Sequence, residues 1–85
     1  MQKVVIYTGD LCGHCDRAID LLKRKKIKFT EYNVAKDSSK MEEMFKKSNG
    51  AKTIPQIFIG EHHVGGNDEL QALESEGKLN SLLDS

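Results

Sequence analysis

The hydrophobic pattern changes period twice within the first third of the chain, and that double change constrains the fold more than any other feature. Lys3 to Tyr7 is a short β-branched and aromatic run closed by Thr8-Gly9-Asp10, which predicts a buried strand of about five residues. Ala18, Ile19, Leu21 and Leu22 then repeat at helical spacing through about Lys25, while Asp16, Arg17, Asp20, Lys23 and Arg24 face water. This is the pattern of an amphipathic helix. Lys28-Phe29-Thr30-Glu31-Tyr32-Asn33-Val34 returns to alternation and predicts a second strand. Strand, helix and strand in this order form a βαβ unit, whose crossover makes the two strands parallel.

The rest of the chain adds to that unit. Ser38 or Ser39 is expected to cap a second helix that presents Met41, Met44 and Phe45 inward and stops at Gly50. Gln56-Ile57-Phe58-Ile59 and His63-Val64, separated by Gly60-Glu61-His62, fit an antiparallel hairpin. Asn67 or Asp68 is expected to cap a third helix carrying Leu70, Leu73 and Ala72 into the core. Leu79, Leu82 and Leu83 share one side of a final turn, whose continuity as helix the pattern leaves open. The expected class is α/β: a four-stranded mixed sheet flanked by three or more helices, in the order β-α-β-α-β-β-α. No repeat, low-complexity stretch or linker interrupts it, so residues 1–85 read as one domain.

Thirteen basic residues balance thirteen acidic ones, so net charge gives no long-range attraction to nucleic acid or an anionic membrane. The run Lys23-Arg24-Lys25-Lys26 reads as a solvated helix face. With 38% hydrophobic and 31% charged residues, the composition is that of an ordered soluble chain. The first apolar run is too short for a signal peptide, and a cytoplasmic, reducing location is expected. The two cysteines lie three residues apart and would close only a local turn, too little to staple a core. Their purpose is therefore read as chemical.

Those cysteines form Cys12-Gly13-His14-Cys15, at the predicted start of the first helix. Unpaired N–H groups and the positive end of the helix field favour a thiolate there. Cys12 is the expected nucleophile. Cys15, almost one turn later, is the expected buried resolving thiol, able to attack a mixed disulfide formed on Cys12. Gly13 is read as permitting close backbone approach, and His14 as lining the approach to Cys12. Asp10 and Asp16 flank the pair, and Asp10 would oppose ionisation of Cys12 if it lay close. A closed zinc site needs two ligands beyond a single CxxC, and His62 and His63, on opposite faces of a hairpin, do not converge. No resident metal site is expected.

Three further segments give the chain a resemblance to the glutaredoxins, small proteins of thioredoxin-like fold. They are Tyr7-Thr8 ahead of the dithiol, Thr53-Ile54-Pro55, and Gly65-Gly66-Asn67-Asp68-Glu69-Leu70, in this order and spacing. The resemblance implies a glutathione-dependent dithiol–disulfide oxidoreductase acting on protein disulfides or glutathione mixed disulfides, with glutathione as cosubstrate. Cys12 would carry the mixed disulfide and Cys15 would resolve it. The resemblance further implies a cis bond at Ile54-Pro55, with Thr53, Ile54 and Pro55 forming one wall of the glutathione site. Gly66, Asn67 and Asp68 would bind its γ-glutamyl end, where Asp68 or Glu69 faces the ammonium.

Two departures from the family pattern stand out. Gly13-His14 replaces the common Pro-Tyr, and Gly9 stands where many members have lysine, with Lys52 a candidate replacement. The absence of the proline raises an alternative function, a glutathione-ligated 2Fe-2S cluster scaffold or carrier acting as a dimer. A monomer is otherwise expected, with no nucleic-acid or membrane partner.

Overall fold

A computed structural model describes residues 1–84. The elements are β1 (Val4–Thr8), α1 (Gly13–Arg24), β2 (Thr30–Asn33), α2 (Ser38–Lys47), β3 (Gln56–Ile59), β4 (His62–Gly65), α3 (Asn67–Ser75) and α4 (Leu79–Asp84). The sheet order is β2-β1-β3-β4, with β1 parallel to β2 and antiparallel to β3, and β3 antiparallel to β4. This is the expected thioredoxin-like fold. One helix is added: the Leu79–Leu83 segment forms α4, separated from α3 by a turn through Gly77 at φ +72°.

β1 is buried along its whole length because helices cover both faces of the sheet. Its alternate residues enter two different cores. Val4 and Ile6 pack with Ala18, Leu21 and Leu22 of α1, Leu70 of α3, and Leu79 and Leu83 of α4. Val5 and Tyr7 point the other way, to Val34, Phe58 and Met44 of α2. The larger core fixes α1 against the sheet and thereby holds the dithiol at the end of β1.

α2 departs from expectation. Its cap is Asp37, whose carboxylate accepts from the Ser39 and Lys40 N–H groups, rather than Ser38 or Ser39. These bonds, led by the one from the Ser39 hydroxyl, hold the Asp37 carboxyl below its usual range. Met44 is buried, whereas Met41 and Phe45 are more than two-fifths exposed. The buried face is turned from the apolar stripe by roughly one side-chain position, since successive helical residues differ by about 100°. The cause lies beneath it. Glu43 accepts a hydrogen bond from the Tyr7 hydroxyl, Lys40 Nζ lies 4.0 Å from the Tyr32 ring centroid, and Lys47 Nζ lies 4.6 Å from that of Phe58. A hydroxyl and aromatic faces accept charged side chains there.

α3 is capped by Gly66, not Asn67 or Asp68. Glu69 reaches back to accept the Gly66 N–H at 2.7 Å, one half of a capping box. Ala72 is exposed, and Leu70 alone of the three expected apolar positions is fully buried, with Leu73 at the edge of the core.

Candidate active site

Cys12 sits just outside α1 in an extended conformation (φ −115°, ψ 103°), and its Sγ accepts the Cys15 N–H at 3.1 Å. It is the N-cap of the helix. A sulfur thus takes the place usually filled by a serine, threonine or aspartate oxygen, where the positive helix end favours negative charge. Cys12 and Cys15 are joined as a disulfide, their Cα atoms 5.2 Å apart. Cys12 is partly exposed and Cys15 is 2% exposed, so an incoming thiol meets the Cys12 sulfur first.

The two intervening residues differ from their expected parts. A Cβ on Gly13 would meet only Arg17 Nη1, at an ordinary 3.7 Å, so no close approach demands glycine there. His14 is exposed and its Nδ1 lies 3.0 Å from Arg17 Nη2. Because a guanidinium only donates, His14 Nδ1 accepts and its proton is on Nε2. Arg17 is exposed on the helix face that periodicity assigns it to, and from there its guanidinium reaches the dithiol turn. Asp10 accepts from Asn33 Nδ2 at 3.0 Å, with Lys36 Nζ 4.0 Å from the same oxygen.

The Ile54–Pro55 bond is cis. Of the expected site residues, His14, Thr53, Ile54, Pro55, Gly66, Asn67 and Asp68 line one groove of about 310 Å³, whereas Cys12, Gly13 and Cys15 are not among its lining residues. Lys52 lies beside Met41 and Phe45 of α2 and is not among the residues that line the groove. Glu69 Oε1 accepts the Gly66 N–H while Glu69 also lines the groove, and the Asp68 carboxylate has no partner among the described residues. Neither Ile54 main-chain polar group is paired there, nor are the N–H groups of Asn67 and Asp68. Among the described residues no three His, Cys, Asp or Glu side chains gather as a metal-ligand set. No described helix is long and apolar enough to cross a membrane.

The glutaredoxin family model matches residues 4–64. Glutaredoxin 3 of Escherichia coli is 46% identical over 83 residues, covering 98% of this chain and 99% of that protein. The glutaredoxin of Pseudomonas aeruginosa is 48% identical over 83 residues, covering 98% of each chain. Among solved structures, the glutaredoxin from Brucella melitensis aligns with a TM-score of 0.82 and 49% identity, over 98% of this chain and 89% of its own. Similarity on this scale takes in the dithiol, the cis-proline wall and the turn into α3 together, and the chain belongs to the glutaredoxin family of thiol–disulfide oxidoreductases.

Proposed function

We propose that this glutaredoxin depends on glutathione and reduces both protein disulfides and glutathione mixed disulfides. The groove carries this reading. Beside His14 of the dithiol turn its lining offers the N–H and C=O of Ile54, the N–H groups of Asn67 and Asp68 and the Asp68 carboxylate, none of which has a partner among the described residues. Glutathione presents complementary groups: a thiol, the peptide groups of its cysteine, and a γ-glutamyl end bearing both carboxylate and ammonium. The helix start suits the carboxylate and Asp68 suits the ammonium.

With the dithiol reduced, the Cys12 thiolate attacks the glutathione sulfur of a mixed disulfide. The old S–S bond breaks, a Cys12–glutathione disulfide forms, and the substrate leaves as a thiolate that takes a proton from water. A second glutathione thiolate attacks the glutathione sulfur of that adduct, releasing oxidised glutathione and the Cys12 thiolate. On a protein disulfide, Cys15 attacks Cys12 instead, closing the Cys12–Cys15 bond and releasing the reduced protein. Two glutathiones then reopen that bond. Monomeric action in a reducing cytoplasm belongs to the same proposal.

Steady-state turnover of a glutathionylated peptide and of a protein disulfide tests it, comparing wild type, Cys12→Ser and Cys15→Ser. Cys12→Ser is expected to abolish both activities, and Cys15→Ser to keep the first and lose the second. Absence of both a glutathione adduct on Cys12 and disulfide turnover would sink the proposal. A visible absorption band after anaerobic reconstitution with iron, sulfide and glutathione, without turnover, would move the assignment to the cluster carrier.

A further inference from the structure

We infer that Gln56 and His63 are positioning residues that aim the Ile54 N–H into the groove, so that it can pair with the peptide backbone of bound glutathione. The inference rests on the glutathione reading above. Gln56 is 5% exposed, and both ends of its carboxamide are used. Its Nε2 donates to the Thr53 carbonyl at 3.0 Å and to Thr53 Oγ1 at 3.1 Å. A carbonyl has only lone pairs to offer, so the NH2 end must face Thr53 and Oε1 must face His63. His63 Nε2 lies 2.6 Å from that Oε1 and is the donor.

His63 is in turn fixed to the sheet. It pairs in register with Phe58 across β3 and β4, and its ring stacks on Phe58 with centroids 4.7 Å apart and planes at 17°. Phe58 meets Tyr7 edge-on at 5.7 Å. His63, which is exposed, Gln56 and Thr53 all line the groove, so the hydrogen-bonded series His63 to Gln56 to Thr53 runs along the groove wall and is anchored to the sheet through Phe58.

The geometry of the peptide group turns this series into an aiming device. Among the described residues only the Ile54–Pro55 bond is cis, so the Thr53–Ile54 peptide is trans and planar, with its C=O and N–H pointing in opposite directions. Gln56 holds the Thr53 C=O to one side, which turns the Ile54 N–H to the other. That N–H has no partner among the described residues, and Pro55 supplies no donor of its own. Ile54 N–H is thus the single backbone donor of the Ile54-Pro55 step, and its direction is set by a buried side chain that does not carry the chemistry.

The test measures KM and kcat on a glutathionylated peptide for wild type, Gln56→Leu, His63→Phe and His63→Gln. Losing the alignment of one hydrogen bond is expected to raise KM about 3- to 10-fold at unchanged kcat in Gln56→Leu and His63→Phe. His63→Gln, which returns an N–H donor, recovers part of that rise. The alkylation rate of reduced Cys12 stays at the wild-type value throughout, and the glutathione-induced shift of the Ile54 amide proton shrinks as KM grows. Where Gln56→Leu does not fold, His63→Phe decides alone, since it keeps the ring on Phe58. Wild-type KM in the folded variants, or a fall in kcat and alkylation rate without a rise in KM, overturns the inference. A wild type with no turnover overturns the glutathione reading and this inference with it.

Discussion

Ile54 covers Gly9: a Cβ placed on Gly9 would stand 2.5 Å from Ile54 Cδ1. No real Cβ sits so close to a carbon, so a larger residue at position 9 requires the Ile54 side chain to move. Ile54 lines the groove, and the two positions are therefore one steric unit. The missing lysine has a structural counterpart in the isoleucine that lies over its place.

Gly9→Lys alone is accordingly expected to push Ile54 from its rotamer and cost about 1 kcal/mol. Combining it with Ile54→Val removes the Cδ1 methyl that causes the collision. The double variant should be more stable than the sum of the singles by about 0.5–3 kcal/mol, read from urea midpoints. Strict additivity would show that Ile54 swings aside freely.

Gly13→Pro should stabilise the protein. Gly13 is the first residue of α1, where proline's fixed φ is suitable and its missing N–H would have no intrahelical partner. Cys12, the residue before it, is already extended at φ −115° and ψ 103°, the region that a following proline requires. The gain is expected to be about 0.4–1 kcal/mol, arising mainly from a less flexible unfolded chain. A lower urea midpoint would mean that proline disturbs the cap at Cys12.

The period changes from β1 to β2 made the parallel unit legible, and the single CxxC at a helix start located the dithiol. What the pattern could not carry was side chains whose partners lie far along the chain. Met41 and Phe45 look like core by spacing, yet Tyr7, thirty-six residues from Glu43, rotates α2 so that charged residues lie over the rings. Nothing in the periodicity shows that one oxygen of the Glu69 carboxylate closes the start of α3 on the Gly66 N–H. Gln56, next to the expected wall, reads only as the first residue of a strand, because a lone glutamine there carries no periodic signal. Only the tertiary pairing of β3 with β4 brings His63 to it.

Leu11 stands next to the nucleophile with φ +51° and its side chain fully exposed. A leucine there has backbone strain and little burial to offset it. Leu11→Gly should raise the melting temperature, corresponding to about 1 kcal/mol. An unchanged or lower value would show that the leucine side chain makes a stabilising contact in solution.

Reduced protein should react with iodoacetamide at Cys12 well before Cys15. Cys12 is partly exposed and its sulfur accepts a backbone N–H at the positive end of α1, whereas Cys15 is 2% exposed. The midpoint of the Cys12 rate profile should lie below about pH 8.5, the ordinary thiol value. Peptide mass mapping across pH reads both rates, and a profile centred on the ordinary value would mean that the helix end does not stabilise the thiolate.

The Tyr7–Glu43 bond should make stability depend on pH at both ends of the range. The hydrogen bond from Tyr7, then the neighbouring Lys40, holds the Glu43 carboxyl below its usual range. Burial, reinforced by Glu43, pushes the Tyr7 hydroxyl above its own. Glu43 therefore stabilises the fold above its ordinary value of about 4.3, and that contribution fades as pH falls through the lower folded value. Tyr7 has the opposite sign: its contribution is intact below about pH 10 and is lost as pH rises beyond it. Because Glu43 is partly solvated, Tyr7→Phe is expected to cost only about 1 kcal/mol near neutrality. The gap between wild type and Tyr7→Phe in urea midpoint should narrow both toward acid and above about pH 10. A gap that stays constant with pH would show that the hydroxyl contributes by packing rather than through the proton it shares with Glu43.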